Sequence, residues 1–548
     1  MASDSASTVL PNELLFQIFE PLDDGIALDH DDNKWNDKKN DMNKVWGSEN
    51  DELFDKISKA HPQLEAVADK IRSKRLRVST LEKMLWGLIL LANNPAIGPN
   101  VRTFQCNVDL YLPVDPDAPG RDERIDGIKA LVTHLWKTDK FEKLEDWEFY
   151  PKLGEMLRLA VQNDVKYWEP EFLGNLAQTL FFGILLKMPN LEELVLHITP
   201  SPSTTVQPRY QRLHSHLHEF GKQISGRLNR LILVPLMVFV KEQGQNEVKT
   251  KRAAYWTHLH VLPLIQIPSV RKVDMWGCVG RWQYHANMLS MFGYPREEAY
   301  LKHYIAHIEE FRFRDLRNSG LWGLERHFLK YVNHVKSLEL SSSRTYHKEY
   351  QLMNSVGAII PNLEGADEMN LHKIHESPKI ASLNKLAVCG PYVSKVDLEA
   401  HFGSNMNELR LENLPELKGV TSLALPSFAL FGNNPDKIRE PVHLPPQLTD
   451  LEIIEDGHED HRLHGGHSFK LYDAIMAFAG NAGKYKPALQ RVTFSFHIWE
   501  NSESASKVKW SEEEIAMAKE CFKKHNIEFS FQGNKRIVDS GMKEWFIW

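Results

Sequence analysis

Four histidines are the residues whose type and spacing best suit them to chemistry. His458, His461, His464 and His467 recur every three residues in the run His-Glu-Asp-His-Arg-Leu-His-Gly-Gly-His. Neutral imidazoles are good ligands for zinc or copper, so the run is a weak candidate metal site and, with it, a candidate metal-dependent enzyme. The same residues also fit a solvated loop, because Gly465 and Gly466 break any helix and no cysteine lies near. The chain holds 25 histidines, so small clusters arise by chance. His214, His216 and His218 alternate and would share a face only in a strand.

Other reactive arrangements are missing. There is no Gly-x-Ser-x-Gly, no P-loop, no kinase set and no HExxH. Gly277-Cys278-Val279-Gly280 lacks the spacing of a dinucleotide loop, and Cys278 beside Trp276 and Trp282 reads as packed core. Asp29, Asp31 and Asn33 alternate as in a calcium loop, but Lys34 takes the glycine position and Asn40 the terminal acid. The expectation is a protein without catalytic residues or cofactor, in which side chains serve recognition. Tryptophan, tyrosine and arginine dominate binding hot spots, and the chain carries 14 tryptophans. Trp499, Trp510, Trp545, Phe546 and Trp548 crowd the C-terminal end, where covering an exposed apolar edge accounts for them.

Composition narrows the classes further. The 548 residues have a net charge of −7, which argues against a dedicated nucleic-acid binder. No apolar run reaches the length of a membrane span. The opening Met-Ala-Ser-Asp-Ser-Ala-Ser lacks the basic and apolar regions of a secretory signal. Cys106, Cys278, Cys389 and Cys521 lie far apart and form no CxxC pair, which fits reduced thiols in the cytosol or nucleus.

The elements that must position the recognition residues are legible as a repeat. The pattern apolar-x-x-apolar-x-apolar occurs at Val101-Phe104-Cys106, Leu191-Leu194-Leu196, Leu228-Leu231-Leu233, Val270-Val273-Met275, Ile308-Phe311-Phe313, Val335-Leu338-Leu340 and Leu383-Leu386-Val388. It continues at Met406-Leu409-Leu411, Val420-Leu423-Leu425, Leu448-Leu451-Ile453 and Leu489-Val492-Phe494, and ends as the plain alternation Ile527-Phe529-Phe531. The last two apolar positions of each copy alternate as a half-buried strand does. Helical stretches precede several copies, as at 172–187, and a weak strand is expected at Leu363 and Ala366. The 14 residues separating Met406 from Val420 are too few for a full repeat, so one of those copies is out of register. Helix, turn and strand in recurrence predict an α/β solenoid with parallel strands and helical crossovers. Pro113–Gly120, Thr199–Pro208 and Asn433–Pro446 read as surface loops, the second able to accept phosphate.

Near the start, Leu10-Pro11-Asn12-Glu13-Leu14-Leu15-Phe16-Gln17-Ile18-Phe19-Glu20-Pro21-Leu22 forms an amphipathic helix. Leu14, Leu15, Ile18, Phe19 and Leu22 fall at spacings of three and four on one side. Pro11 suits the first helical position, and Glu13 the positive end of the dipole. So short a helix needs something to dock against. The stretch resembles the opening helix of an F-box at Leu10, Pro11, Glu13, Leu14, Leu15, Ile18, Phe19 and Leu22. Residues 23–55 then interrupt the pattern with eleven Asp or Glu against four Lys, a composition of solvated chain. Residues 57–68, Ile57 to Ala68, resume something similar to the second F-box helix, with His61 and Pro62 as departures.

F-box domains followed by leucine-rich repeats form a family, and this chain resembles it over most of its length. The resemblance implies an F-box-like helical module at 8–76, with its acidic insertion at about 23–55, and an irregular leucine-rich-repeat domain at 77–548. It implies a substrate-recognition subunit of an SCF ubiquitin ligase. The eight matched N-terminal residues would bind the ligase's adaptor subunit, next to the cullin scaffold, and the repeats would bind a protein substrate. It implies no nucleic acid, membrane or cofactor, and places the protein in the cytoplasm or nucleus. The alternative is a repeat scaffold that binds proteins outside any ligase, which the interruption at 23–55 motivates.

Overall fold

The computed structural model describes residues 73–108, 110, 125–130, 132–133, 170–198, 226–235, 237–241, 248–252, 262–265, 267–276, 307–316, 335–342, 383–389, 414–431, 443–456, 467–485, 488–498 and 510–536. The chain divides into two compact units, Met1–Ala254 with Lys543–Trp548, and Tyr255–Met542.

The sequence repeat has a mechanical meaning in both units. The first apolar residue of each described copy is buried, from Val101 at 0 % exposed to Leu489 at 6 %. The two residues after it turn their backbone N–H groups onto a single carbonyl of the preceding repeat. Lys74, Arg102 and Glu192 accept such pairs in the first unit. Arg271, Glu309, Lys336, Asn384, Thr421 and Thr449 do so in the second, and all these bonds measure 2.7–3.1 Å. The strand then begins, already in register with its neighbour.

In the first unit β1 (Arg75–Val78), β2 (Thr103–Cys106), β3 (Glu193–Ile198) and β4 (Arg230–Pro235) pair in parallel and in chain order. Leu76, Phe104, Leu194 and Leu231 align across them, as do Val78, Cys106, Leu196 and Leu233, and none is more than 2 % exposed. Two helices cover this side, α1 (Leu81–Asn93) and α2 (Pro170–Leu186). Thr80 caps α1, its Oγ1 accepting from the Lys83 N–H at 3.2 Å. Leu81, Met84, Leu85, Leu88 and Leu91 then turn inward at helical spacing. From α2, Phe181 stacks on Phe104 with ring centroids 5.9 Å apart. β5 (Met237–Lys241) and β6 (Val248–Arg252) form a separate antiparallel ribbon that the apolar triplet does not foretell.

Among the described residues the second unit opens with α3 (Leu262–Ile265) and carries eight parallel strands. They are β7 (Lys272–Trp276), β8 (Glu310–Leu316), β9 (Ser337–Ser342), β10 (Lys385–Cys389), β11 (Ser422–Pro426), β12 (Asp450–Asp456), β13 (Arg491–Ile498) and β14 (Glu528–Arg536). Each pairs with the next in chain order. Their core row runs Val273, Phe311, Leu338, Leu386, Leu423, Leu451, Val492, Phe529. Among the described helices of this unit are α4 (Ser427–Phe431), α5 (His467–Tyr485) and α6 (Glu512–Lys523).

The fold is thus α/β, with parallel strands and helical crossovers in repeat order. β9 pairs directly with β10 and β10 with β11, while Met406-Leu409-Leu411 and the weak strand expected at Leu363 and Ala366 lie outside the described residues. One reading of the sequence needs correction: the parallel strands begin earlier than Val101, at β1. β1 escapes the pattern because Ser73 holds the position of its first apolar residue.

The end of the second unit carries an aromatic cover. Trp510 stacks on Phe494 at 4.8 Å and on Phe531 at 5.5 Å, and meets Tyr472 edge-on at 5.1 Å. Phe522 of α6 lies 5.0 Å from Phe529 and 5.7 Å from Phe478 of α5. Trp510 therefore has the covering role expected of the C-terminal aromatics. Trp499, Trp545, Phe546 and Trp548 lie outside the described residues.

Candidate docking surface

Alternation along a strand turns every second side chain away from the core. In the first unit these positions form the rows Arg75, Thr103, Glu193, Arg230 and Arg77, Gln105, Val195, Ile232. In the second they form Lys272, Glu310, Ser337, Lys385, Ser422, Asp450, Arg491, Glu528 and Asp274, Arg312, Glu339, Ala387, Ala424, Glu452, Thr493, Ser530. These rows are the candidate surface, because the core does not use them.

Charge gathers over β7–β9. Arg312 lies 2.6 Å from Glu310, 3.7 Å from Glu339 and 3.9 Å from Asp274. Lys272 reaches Glu310 at 3.6 Å. Three carboxylates thus share two cations, and Asp274 is only 2 % exposed. Burial strengthens such pairings relative to the surface, where they contribute little. Further along, Arg491 bridges Asp450 at 3.2 Å and Glu528 at 3.5 Å, at an exposed position.

The chemistry then changes. Beyond Glu339 the row of Asp274 and Arg312 turns apolar, and its Ala387 and Ala424 are buried together with Ile454. Over β12–β14 the same row continues with Glu452 and then the hydroxyls of Thr493 and Ser530. The Ser495 hydroxyl donates to Glu452 at 2.7 Å, and the Thr493 and Ser530 hydroxyls share a 2.9 Å hydrogen bond. In the first unit Arg230 pairs with Glu193 at 3.0 Å. Gln105 donates through Nε2 to Asn107 Oδ1 at 2.9 Å, and both are buried.

Two titrating groups stand at the turns that enter the strands. Burial holds His307 below the usual imidazole range, and the Arg271 guanidinium adds to the shift, while the backbone carbonyls of Ile267 and Ile265 oppose it. A hydrogen bond from Lys336, at 2.8 Å, holds Glu309 below the usual carboxylate range.

The sites expected from sequence fall largely elsewhere. Leu10, Pro11, Glu13, Leu14, Leu15, Ile18, Phe19 and Leu22 lie outside the described residues, as do 23–55 and 57–68. His458, His461 and His464 also lie outside them, while His467 is the first residue of α5. Among the described residues no group of three or more His, Cys, Asp or Glu is placed to hold a metal ion. No described helix is long and apolar enough to cross a membrane. The surface rows went unnamed in the sequence because they are the x positions of the repeat, identifiable there only by not being apolar. No model of a known protein family matches this chain, and no curated protein matches it in sequence.

Proposed function

We propose that this chain is the substrate-recognition subunit of an SCF-type ubiquitin ligase. The helix at 10–22 docks through Leu14, Leu15, Ile18, Phe19 and Leu22 onto the ligase adaptor, and the strand rows hold a protein substrate. The protein works without catalytic residues of its own: it brings substrate and ligase together, and other subunits supply the chemistry. The cytoplasm or nucleus is its place of action. One observation carries the reading: a parallel ladder, whose strands turn a repeating row of side chains away from the core, follows a stretch that matches the F-box helix at eight positions.

The test is an adaptor pull-down with the double variant Leu14→Asp, Ile18→Asp. Adaptor binding should be lost while circular dichroism of the repeats is unchanged; retained binding sinks the proposal. The acidic interruption at 23–55 favours a second reading, a protein-binding scaffold outside any ligase. A stoichiometric adaptor subunit on purification from native cells supports the first reading, and its absence the second.

A further inference from the structure

A sulfur joins α5 and α6 at the end of the second unit. Among the described residues Met517 of α6 is the one large apolar side chain left exposed, at 54 %. Its Sδ lies 3.9 Å from the Tyr472 hydroxyl of α5, which donates to it. Tyr472 in turn meets Trp510, the centre of the aromatic cover, edge-on. Partial burial holds Tyr472 above the usual phenol range, and the charges of Glu514, Cys521 and Asp473 add to the shift, so the hydroxyl keeps its proton. A thioether is only a weak acceptor for that donor. The 3.9 Å separation exceeds an O–H···O hydrogen bond of about 2.7–2.8 Å by roughly one bond length. An oxygen added to the sulfur on that side therefore falls within reach of the hydroxyl. Met84, Met188 and Met275 are 0 %, 3 % and 0 % exposed, and a sulfoxide there would place a polar group in the core.

We propose that Met517 is a site of oxidative modification, its sulfoxide oxygen accepting from the Tyr472 hydroxyl and fastening α6 to α5. The oxidant is hydrogen peroxide. The sulfur lone pair attacks one peroxide oxygen, and the S–O bond forms as the O–O bond breaks. The proton on the transferred oxygen passes to the departing hydroxide, which leaves as water. Sulfur is oxidised by two electrons and the peroxide is reduced by two. The modification tightens the aromatic cover from outside and leaves the core untouched. No ligase partner enters it, so the ligase reading can fail without this one.

The test uses the full chain carrying Cys521→Ser, which removes the half-buried thiol one turn further along α6. After brief treatment with hydrogen peroxide, peptide mass spectrometry should find Met517 oxidised at least about tenfold faster than Met84, Met188 and Met275. Amide exchange in α6 should then slow about fivefold, the factor that one net hydrogen bond carries. A methionine sulfoxide reductase should reverse the slowing. Met517→Leu, treated alike, should show no slowing, and Tyr472→Phe should be oxidised at Met517 without it. Oxidation of Met517 no faster than that of the buried methionines overturns the proposal. So does exchange in α6 that is unchanged or faster on oxidation, or a slowing that persists in either variant. Should Tyr472→Phe fail to fold, Met517→Gln decides. Its carbonyl oxygen offers the hydroxyl an acceptor without any oxidant, and exchange in α6 no slower than in the parent chain overturns the proposal.

Discussion

At the residue scale, two glycines show how differently the fold uses the same residue. A Cβ on Gly98 would collide with the Lys187 carbonyl oxygen, so the turn before β2 and the end of α2 approach as closely as they do because Gly98 has no side chain. A Cβ on exposed Gly480, inside α5, meets nothing within 4 Å. Gly98→Ala should therefore destabilise by about 1–3 kcal/mol, and Gly480→Ala should stabilise by about 0.5–1 kcal/mol. Urea unfolding of the two variants checks both signs. Arginines divide in the same way. Arg312 serves three carboxylates, one of them buried, whereas Arg491 bridges two exposed ones. Arg312→Met should destabilise by about 1–2 kcal/mol and Arg491→Met by less than about 0.5 kcal/mol. His307 makes a pH prediction. Its folded pKa lies below the ordinary imidazole value of about 6.5, so the folded state favours the neutral ring. Stability is full above that value and erodes as pH falls below it, because the unfolded chain takes up the proton first. In His307→Phe the stability difference between pH 7.5 and pH 5 should shrink; an unchanged difference would show that other groups carry it.

Elements were legible where backbone geometry and side-chain burial demand the same residues. Val335, Leu338 and Leu340 read as one copy because Val335 is buried at the turn and Leu338 is buried in the core row of the strand that follows. The final copy is instructive. Ile527-Phe529-Phe531 is one residue short, so only the Glu528 N–H reaches the preceding rung, at Gln490, while the Ile527 N–H bonds the Phe522 carbonyl of α6. Asn526, at φ 59°, makes that exit from the helix, in a left-handed conformation that asparagine tolerates. The shortened spacing visible in the sequence therefore records a strand entered from a helix end rather than from the usual turn. Met406-Leu409-Leu411 satisfies the same pattern and lies outside the described residues, and three apolar residues at these spacings can arise by composition alone. The surface was less legible still. Nothing in the local sequence of Asp274 distinguishes a nearly buried carboxylate from a solvated one, because its partners arrive from strands 36 and more residues away. At the start of α6, Ser511 and Glu514 form a reciprocal capping box, with bonds of 3.1 Å and 2.7 Å. Ser511→Ala should cost about 1 kcal/mol, read as lowered thermal stability.

At the scale of the whole molecule, each unit is a stack in which a rung touches mainly its neighbours, and such stacks lose structure from their ends. The aromatic cover on β13 and β14 is then a brake on fraying. Trp510→Ala should lower amide protection in β13, β14 and α6 while β1–β4 keep theirs, as hydrogen exchange would resolve. Loss of protection at the same rate throughout would instead mean that the protein unfolds as one cooperative body.

The shared carbonyl at the foot of nine of the described strands also fixes a system of addresses. Connections between successive described triplets run from 27 residues, Ile308 to Val335, to 90, Val101 to Leu191, yet those strands enter in the same register. A surface residue's position is therefore set by how many rungs precede it, not by how much chain does. Crossovers can lengthen, shorten or be exchanged between relatives without moving the rows they connect. Comparing such chains by linear alignment will misplace residues that counting rungs would superimpose.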